Sequence, residues 1–209
     1  MKTKMLFFPV IAAAMLSASA WAQSKSTYGI RAGVNFQNLN GKNSDGHNLD
    51  NKLKTGFNAG VNAEIPVGID FYLQPGLLFS TKGAKYDVQG VEATRNISYL
   101  ELPVNFLYKP ELGEGRLLLG FGPYAAFAVG GKIKAGNTDI DMEFGDNVGE
   151  TKAFDAGANL LAGYEFSNNF SFQLNAGLGL INMYNRPSGD DETSLKNTGF
   201  GLSLGYRFK

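Results

Sequence analysis

From Tyr28 onward, apolar and polar residues alternate one by one: Tyr28, Ile30, Ala32, Val34 and Phe36 interleave with Gly29, Arg31, Gly33, Asn35 and Gln37. Successive side chains of an extended strand point to opposite faces, so the pattern predicts a strand with one apolar flank and one of glycine, amide and charge. The pattern returns with Phe57, Ala59, Val61, Ala63 and Ile65 against Asn58, Gly60, Asn62 and Glu64. A third segment sets Leu73, Leu77 and Phe79 against Gln74, Gly76 and Ser80, with Tyr72 and Leu78 sharing the polar flank. The fourth sets Leu100, Leu102, Val104, Phe106 and Tyr108 against Tyr99, Glu101, Asn105 and Lys109. The fifth sets Leu117, Leu119, Phe121, Ala125, Phe127 and Val129 against Gly120, Gly122, Tyr124, Ala126 and Gly130. The sixth sets Ala156, Ala158, Leu160, Ala162, Tyr164 and Phe166 against Asp155, Gly157, Asn159, Gly163 and Glu165. The seventh opposes Phe170, Phe172, Leu174, Ala176, Leu178 and Leu180 to Ser171, Gln173, Asn175, Gly177 and Gly179. The eighth opposes Phe200, Leu202, Leu204, Tyr206 and Phe208 to Gly199, Gly201, Ser203, Gly205 and Arg207.

Eight segments of about 10 to 13 residues match the length at which a tilted strand crosses a bilayer, and an even number suits a closed antiparallel ring. The connectors alternate in length. Leu39 to Lys54, Lys82 to Arg95, Lys132 to Ala153 and Asn185 to Asn197 are long and polar; Pro66-Val67-Gly68, Pro110 to Gly115 and Ser167-Asn168-Asn169 are short. Extended outer loops with tight inner turns are expected of an up-and-down transmembrane barrel, and they put both chain ends on the inner, periplasmic side. Aromatic residues fall at the segment ends. Tyr28, Phe71, Tyr108, Tyr164, Phe166, Phe170, Phe172, Tyr206 and Phe208 predict an inner interfacial girdle, and Phe36, Phe57, Phe79, Phe127, Phe154 and Phe200 an outer one.

A soluble eight-stranded barrel would turn the apolar flank inward and cover the other with Lys, Glu, Asp and Thr. Here the polar flank holds chiefly Gly, Asn, Gln and Ser, which suits the narrow interior of a membrane barrel. Pro75, Pro103 and Pro123 sit inside segments although proline cannot donate to a ladder, so bulges or bends are expected there.

The N-terminus carries Lys2 and Lys4, an apolar run from Met5 to Leu16 and the tail Ser17-Ala18-Ser19-Ala20-Trp21-Ala22. That order predicts a secretory signal peptide over residues 1–22, with the barrel domain at 23–209. Removing 22 of 209 residues leaves 187, and 17 basic groups against 19 acidic ones. That balance provides no electrostatic footprint for nucleic acid. Without cysteine, disulfide and thiolate chemistry are excluded.

Tyr99-Leu100-Glu101-Leu102-Pro103-Val104 and Gly120-Phe121-Gly122-Pro123-Tyr124 resemble the PorT-like outer-membrane β-barrel family. So do Gly29-Ile30-Arg31-Ala32-Gly33-Val34-Asn35, Gln74-Pro75-Gly76-Leu77, Asp155-Ala156-Gly157-Ala158-Asn159 and Gly163-Tyr164-Glu165-Phe166. The resemblance spans essentially the whole chain after the leader. It implies an outer-membrane location, a barrel fold and prolines at those strand positions, and it implies no reaction.

Candidate chemistry is sparse. His47, the single histidine, stands in the first long loop beside Asn43, Ser44, Asp45 and Gly46, without a positioned nucleophile or an oxyanion motif. With one His and no Cys, the usual zinc ligands are missing, and no cofactor is expected. Asp139-Ile140-Asp141-Met142-Glu143 and Asp190-Asp191-Glu192 lack the glycine spacing of a calcium loop and read as solvated faces. By parity Arg31, Glu64, Glu101, Lys109, Glu165 and Arg207 turn into the lumen, several of them toward its periplasmic half. Buried charges need partners, so these six are expected to form salt bridges that plug the barrel. The expected role is a non-enzymatic one in the envelope, structural or at the surface; a narrow channel or secretion accessory, and then a lipid-modifying enzyme, stand as alternatives. Expected partners are outer-membrane lipid, lipopolysaccharide and the barrel-assembly machinery, with no nucleic acid.

Overall fold

A computed structural model describes residues 26–208 apart from 89, 137, 146, 148, 149 and 186–191. The predicted leader at 1–22 lies outside the described residues. The strands, in chain order, are β1 Thr27–Lys42, β2 Lys54–Gly68, β3 Phe71–Val88, β4 Val91–Tyr108, β5 Glu111–Leu112, β6 Gly115–Ala135, β7 Thr138–Asp141, β8 Phe154–Glu165, β9 Phe170–Gly179 and β10 Ser194–Phe208. Each long strand pairs antiparallel with its chain neighbours, β4 with β6, and β10 closes on β1 from Tyr28↔Phe208 to Lys42↔Ser194. The result is an eight-stranded up-and-down barrel with two short additions, β5 and β7, on β6.

The apolar flank faces outward. Ile30, Val34, Phe57, Val61, Leu77, Phe121, Leu160, Leu174 and Leu204 are all exposed, while Asn35, Asn58, Glu64, Gln74, Asn105, Gln173 and Ser203 are buried. A water-soluble barrel would do the reverse, so this is a wall built for hydrocarbon. Tyr72 and Leu78 turn inward with the polar flank, as their parity requires. Both aromatic girdles form: Phe71 stacks on Tyr108 and Phe106, Tyr206 meets Phe170 and Phe208, and at the other rim Phe36 meets Phe200 and Phe57 meets Phe79.

Three expectations need correction. Six of the eight long strands run past the expected 10 to 13 residues, up to the 21 of β6, while β8 and β9 keep to 12 and 10. The expected loop Lys82 to Arg95 is a hairpin, paired from Lys82↔Ile97 to Val88↔Val91. Part of the expected loop Lys132 to Ala153 is also sheet, with Lys132 to Ala135 held between β4 and β7. Beyond the hydrocarbon no outward apolar flank is needed, so alternation fades while the ladder continues. The hairpin turns on features a periodicity count misses, such as Gly83, whose φ of 139° suits glycine and whose missing Cβ lets the Arg95 carbonyl approach.

The prolines also differ from expectation. Pairing lapses beside Pro75, Pro103 and Pro123, yet the register is the same on either side of each lapse. Each proline therefore removes a rung without inserting a bulge. The register shifts lie elsewhere, at Pro66/Gly68 and at Ser98/Tyr99, where the second leaves Val129 unmatched on β6 and brings Lys132 and Lys134 to the outside.

Candidate functional site in the barrel lumen

The lumen is filled in layers. Glu64, Lys109, Glu165 and Arg207 meet at the end where the chain termini lie. The Lys109 ammonium donates to Glu64 at 2.6 Å and to Glu165 at 3.0 Å. Arg207 donates through Nη2 to Glu64 and through Nη1 to Asn62 at 2.8 Å, and its Nε lies 3.9 Å from Glu165. Gln74 adds a bond to Glu64 at 3.2 Å. Four strands contribute because inward parity places one polar residue near the inner end of each, and the shear of the sheet brings them to one level. Beside this cluster, Leu107, Leu118 and Leu161 pack with Tyr72 into a small apolar group.

The other two predicted charges stand apart. Glu101 pairs with Lys82 at 2.7 Å, and Lys82 also lies 3.6 Å from Asp155 and 4.2 Å from the centre of the Tyr124 ring. Asp155, fully buried, accepts from Tyr124 Oη at 3.1 Å and from Asn197 Nδ2 at 2.8 Å. Arg31 has an amide as its hydrogen-bond acceptor, Asn175 Oδ1 at 3.3 Å, and no ion pair among the described residues. The charges therefore form one cluster of four near the termini and a second around Lys82, with Arg31 joined to neither by an ion pair. Lys82 and Asp155 were not among the sequence candidates. Lys82 continues the inward parity of Gln74, Leu78 and Ser80 but falls in the stretch whose pattern predicts a loop, and the pattern puts Asp155 on the polar flank without naming its partner.

Beside the Lys82–Glu101 pair lies a cavity of about 60 Å³, lined among others by Arg31, Asn35, Asn58, Lys82, Glu101 and Asn105. Above it the lumen is closed by a buried cluster of Leu39, Ile97, Tyr99, Met183 and Leu195, against which the loop residues Leu49, Met142, Phe144 and Tyr184 pack. Tyr99 Oη donates to Met183 Sδ at 3.0 Å.

The loop candidates are dispersed. His47 is exposed, and its backbone N–H caps Asn43 Oδ1 in a local turn. Asp139 and Asp141 lie on β7 and pair with Lys134 at 3.2 Å and Lys132 at 3.5 Å. Glu192 pairs with Lys42 at 3.2 Å, and Asp190 and Asp191 lie outside the described residues. Among the described residues no group of three or more His, Cys, Asp or Glu side chains is placed to hold a metal ion.

Comparison with known families finds a match over residues 21–185 to the family described as outer membrane protein beta-barrel domain. Comparison with curated proteins finds no match. Solved structures that resemble the chain include the attachment invasion locus protein Ail of Yersinia pestis in complex with the heparin analogue sucrose octasulfate, at 16% identity and TM-score 0.44 over 88% of this chain and 100% of that one. Neisserial surface protein A resembles it at 14% identity and TM-score 0.44 over 89% and 99%. A major outer membrane protein from Thermus thermophilus does so at 17% identity and TM-score 0.42 over 88% and 100%.

Proposed function

Because the chain belongs to the family of outer membrane protein beta-barrel domains, we propose that it serves the outer membrane as a filled, non-enzymatic barrel holding a rigid sheet above the outer leaflet for surface contacts. The observation that carries this reading is the continuation of β3, β4 and β6 past the outer aromatic girdle. There the sheet is stiffened by ion pairs on its faces, Lys85 with Glu92 at 2.9 Å and Lys132 and Lys134 with the carboxylates of β7. Flexible outer loops leave no such platform; a paired sheet presents a fixed surface. The narrow, charge-balanced interior, covered at its outer end by the apolar cluster of Leu39, Ile97, Tyr99, Met183 and Leu195, supports an insulating role over solute passage.

Several finer readings belong to the same proposal: a PorT-like relationship, export through the 1–22 leader, folding by the assembly machinery, and contact with lipopolysaccharide around the outer rim. Placement of the chain termini on the periplasmic side follows from the short turns at that end. The test uses the cysteine-free background. A single Glu92→Cys variant, exposed near the hairpin tip, should react in intact cells with a membrane-impermeant maleimide, and the purified chain should migrate differently on a gel before and after boiling. Labelling only after the outer membrane is permeabilised would overturn the platform. Altered lipid A on deletion of the chain would overturn the non-enzymatic role.

A further inference from the structure

Among the described residues, six of the eight buried side-chain atoms without a hydrogen-bond partner lie in the lumen, and the other two, Arg95 Nε and Asn96 Oδ1, stand on the outer hairpin. Asp155 Oδ1 and Asn197 Oδ1 lie beneath the outer closure, Asn105 Oδ1 and Arg31 Nε lie at the central cavity, and Gln173 Oε1 and Arg207 Nε lie nearer the termini. A buried polar atom without a partner costs about 1–3 kcal/mol, and such atoms in native proteins are rare enough to need an occupant. Donors and acceptors are mixed, and Lys82, Arg31, Glu101 and Asp155 already balance in charge, so neither a cation nor an anion fits the set. Water does, because it both donates and accepts. The cavity of about 60 Å³ has room for about two water molecules at roughly 30 Å³ each.

The two ends of the lumen are closed by different chemistry. At the termini end the closure is ionic and amide-rich, formed by Glu64, Lys109, Glu165 and Arg207, with Ser171, Gln173 and Ser203 continuing the polar lining along β9 and β10. The apolar group of Leu107, Leu118 and Leu161 occupies only the β4–β6–β8 side. At the outer end the closure is apolar and made by loops. Met183 is fully buried and anchored by its N–H to the Leu195 carbonyl at 2.9 Å, with Phe144 and Met142 packed over the same cluster.

We propose that the lumen is hydrated from the termini end up to the Lys82–Asp155 cluster, and that the outer loop closure is the one seal that makes the barrel insulating. The inference rests on the insulating-barrel reading above and names the element responsible for it. The ligand is water, and with the seal loosened the same track passes small monovalent ions of either sign, because the lumen charges balance.

Three measurements on the folded chain test it. In a ¹⁵N-labelled detergent sample, the Arg31 Nε–H should show an exchange cross-peak with water. The Ser203→Cys variant, whose new thiol lies buried at mid-lumen, should react with silver ion supplied from the termini side of a vesicle and not from the other side. In planar bilayers the wild-type chain should give no current steps, whereas Phe144→Ser with Met183→Ser should give them while retaining the folded gel mobility. A dry Arg31, a Ser203→Cys thiol that reacts from neither side or only from the loop side, or a folded lid variant that stays silent overturns the inference and leaves the insulating reading in place. Current steps from the wild-type chain overturn the seal and that reading together.

Discussion

Glu64→Gln is the sharpest single probe of the lumen. Glu64 is 2% exposed and accepts from Lys109 at 2.6 Å, from Gln74 at 3.2 Å and from Arg207. At an effective dielectric of about 20, two unit charges 2.6 Å apart attract by roughly 6 kcal/mol, and desolvating the ions costs several kcal/mol each, so the intact pair is close to neutral in net stability. Removing one charge is another matter. Gln keeps the shape and the Gln74 contact but leaves Lys109 and Arg207 sharing Glu165, which is 3.0 Å from one and 3.9 Å from the other. The expected loss is about 3–5 kcal/mol. Adding Lys109→Met restores the charge balance and should recover most of that loss, so the two changes should be far from additive. The only tryptophan, Trp21, lies in the predicted leader, so urea unfolding is best followed by gel mobility of unboiled samples or by circular dichroism. An unfolding midpoint for Glu64→Gln near that of the wild type would refute the reasoning, because it would mean that Lys109 and Arg207 do not depend on the Glu64 carboxylate.

Lys82→Met should cost a similar 3–5 kcal/mol by leaving Glu101 and Asp155 buried without their cation, and the same unfolding assay reads it. Leu174→Arg, on an outward residue 51% exposed, should cost about 2–4 kcal/mol near the bilayer midplane; a neutral effect in lipid vesicles would argue against hydrocarbon contact. Gly33→Val should prevent closure of the β1–β10 seam, since a Cβ there runs into the Leu202 carbonyl and Ser203; refolding yield judged by gel shift checks it. Neutralising all four charges at once, as Glu64→Gln, Lys109→Met, Glu165→Gln and Arg207→Met, should cost less than Glu64→Gln alone but broaden the folded NMR spectrum.

Much of the barrel was legible because hydrocarbon enforces a period of two. Even the irregular third segment was readable, since Tyr72 and Leu78 had to share the flank of Gln74 and Ser80 and do so. Legibility stopped where that enforcement stops. Past the outer girdle, Thr81 to Val88 and Val91 to Ser98 stay paired with no outward apolar series to mark them, so the hairpin read as a loop and Lys82 was lost with it. The membership of the inner cluster was partly legible, as parity assigned Glu64, Lys109, Glu165 and Arg207 to the lumen. The partners of Glu101 and Arg31 were not, because partnership depends on shear and side-chain reach. Glu101 sits opposite Leu78 in the ladder, yet it is the long Lys82 side chain that comes down to it, and Asp155 reaches the same ammonium from β8 across the lumen.

The ionic lumen addresses a problem that the hydrophobic pattern leaves open. A slip of one residue between neighbouring strands turns every side chain to the wrong face and is forbidden by the bilayer. A slip of two residues restores the faces, so apolar alternation alone is blind to it. Backbone hydrogen bonds are blind to it as well, since every register of a ladder offers the same donors and acceptors. What differs between such registers is which charges meet. Glu64 on β2 meets Arg207 from β10 and Lys109 at the end of β4, and Glu165 joins them from β8. These strands are not adjacent to one another in the ring, so the contacts fix the relative heights of distant parts of the wall. A register two residues away leaves at least one of these ions buried and alone, at a cost of several kcal/mol. Net stability from such a cluster is small, whereas its power to reject the wrong shear is large.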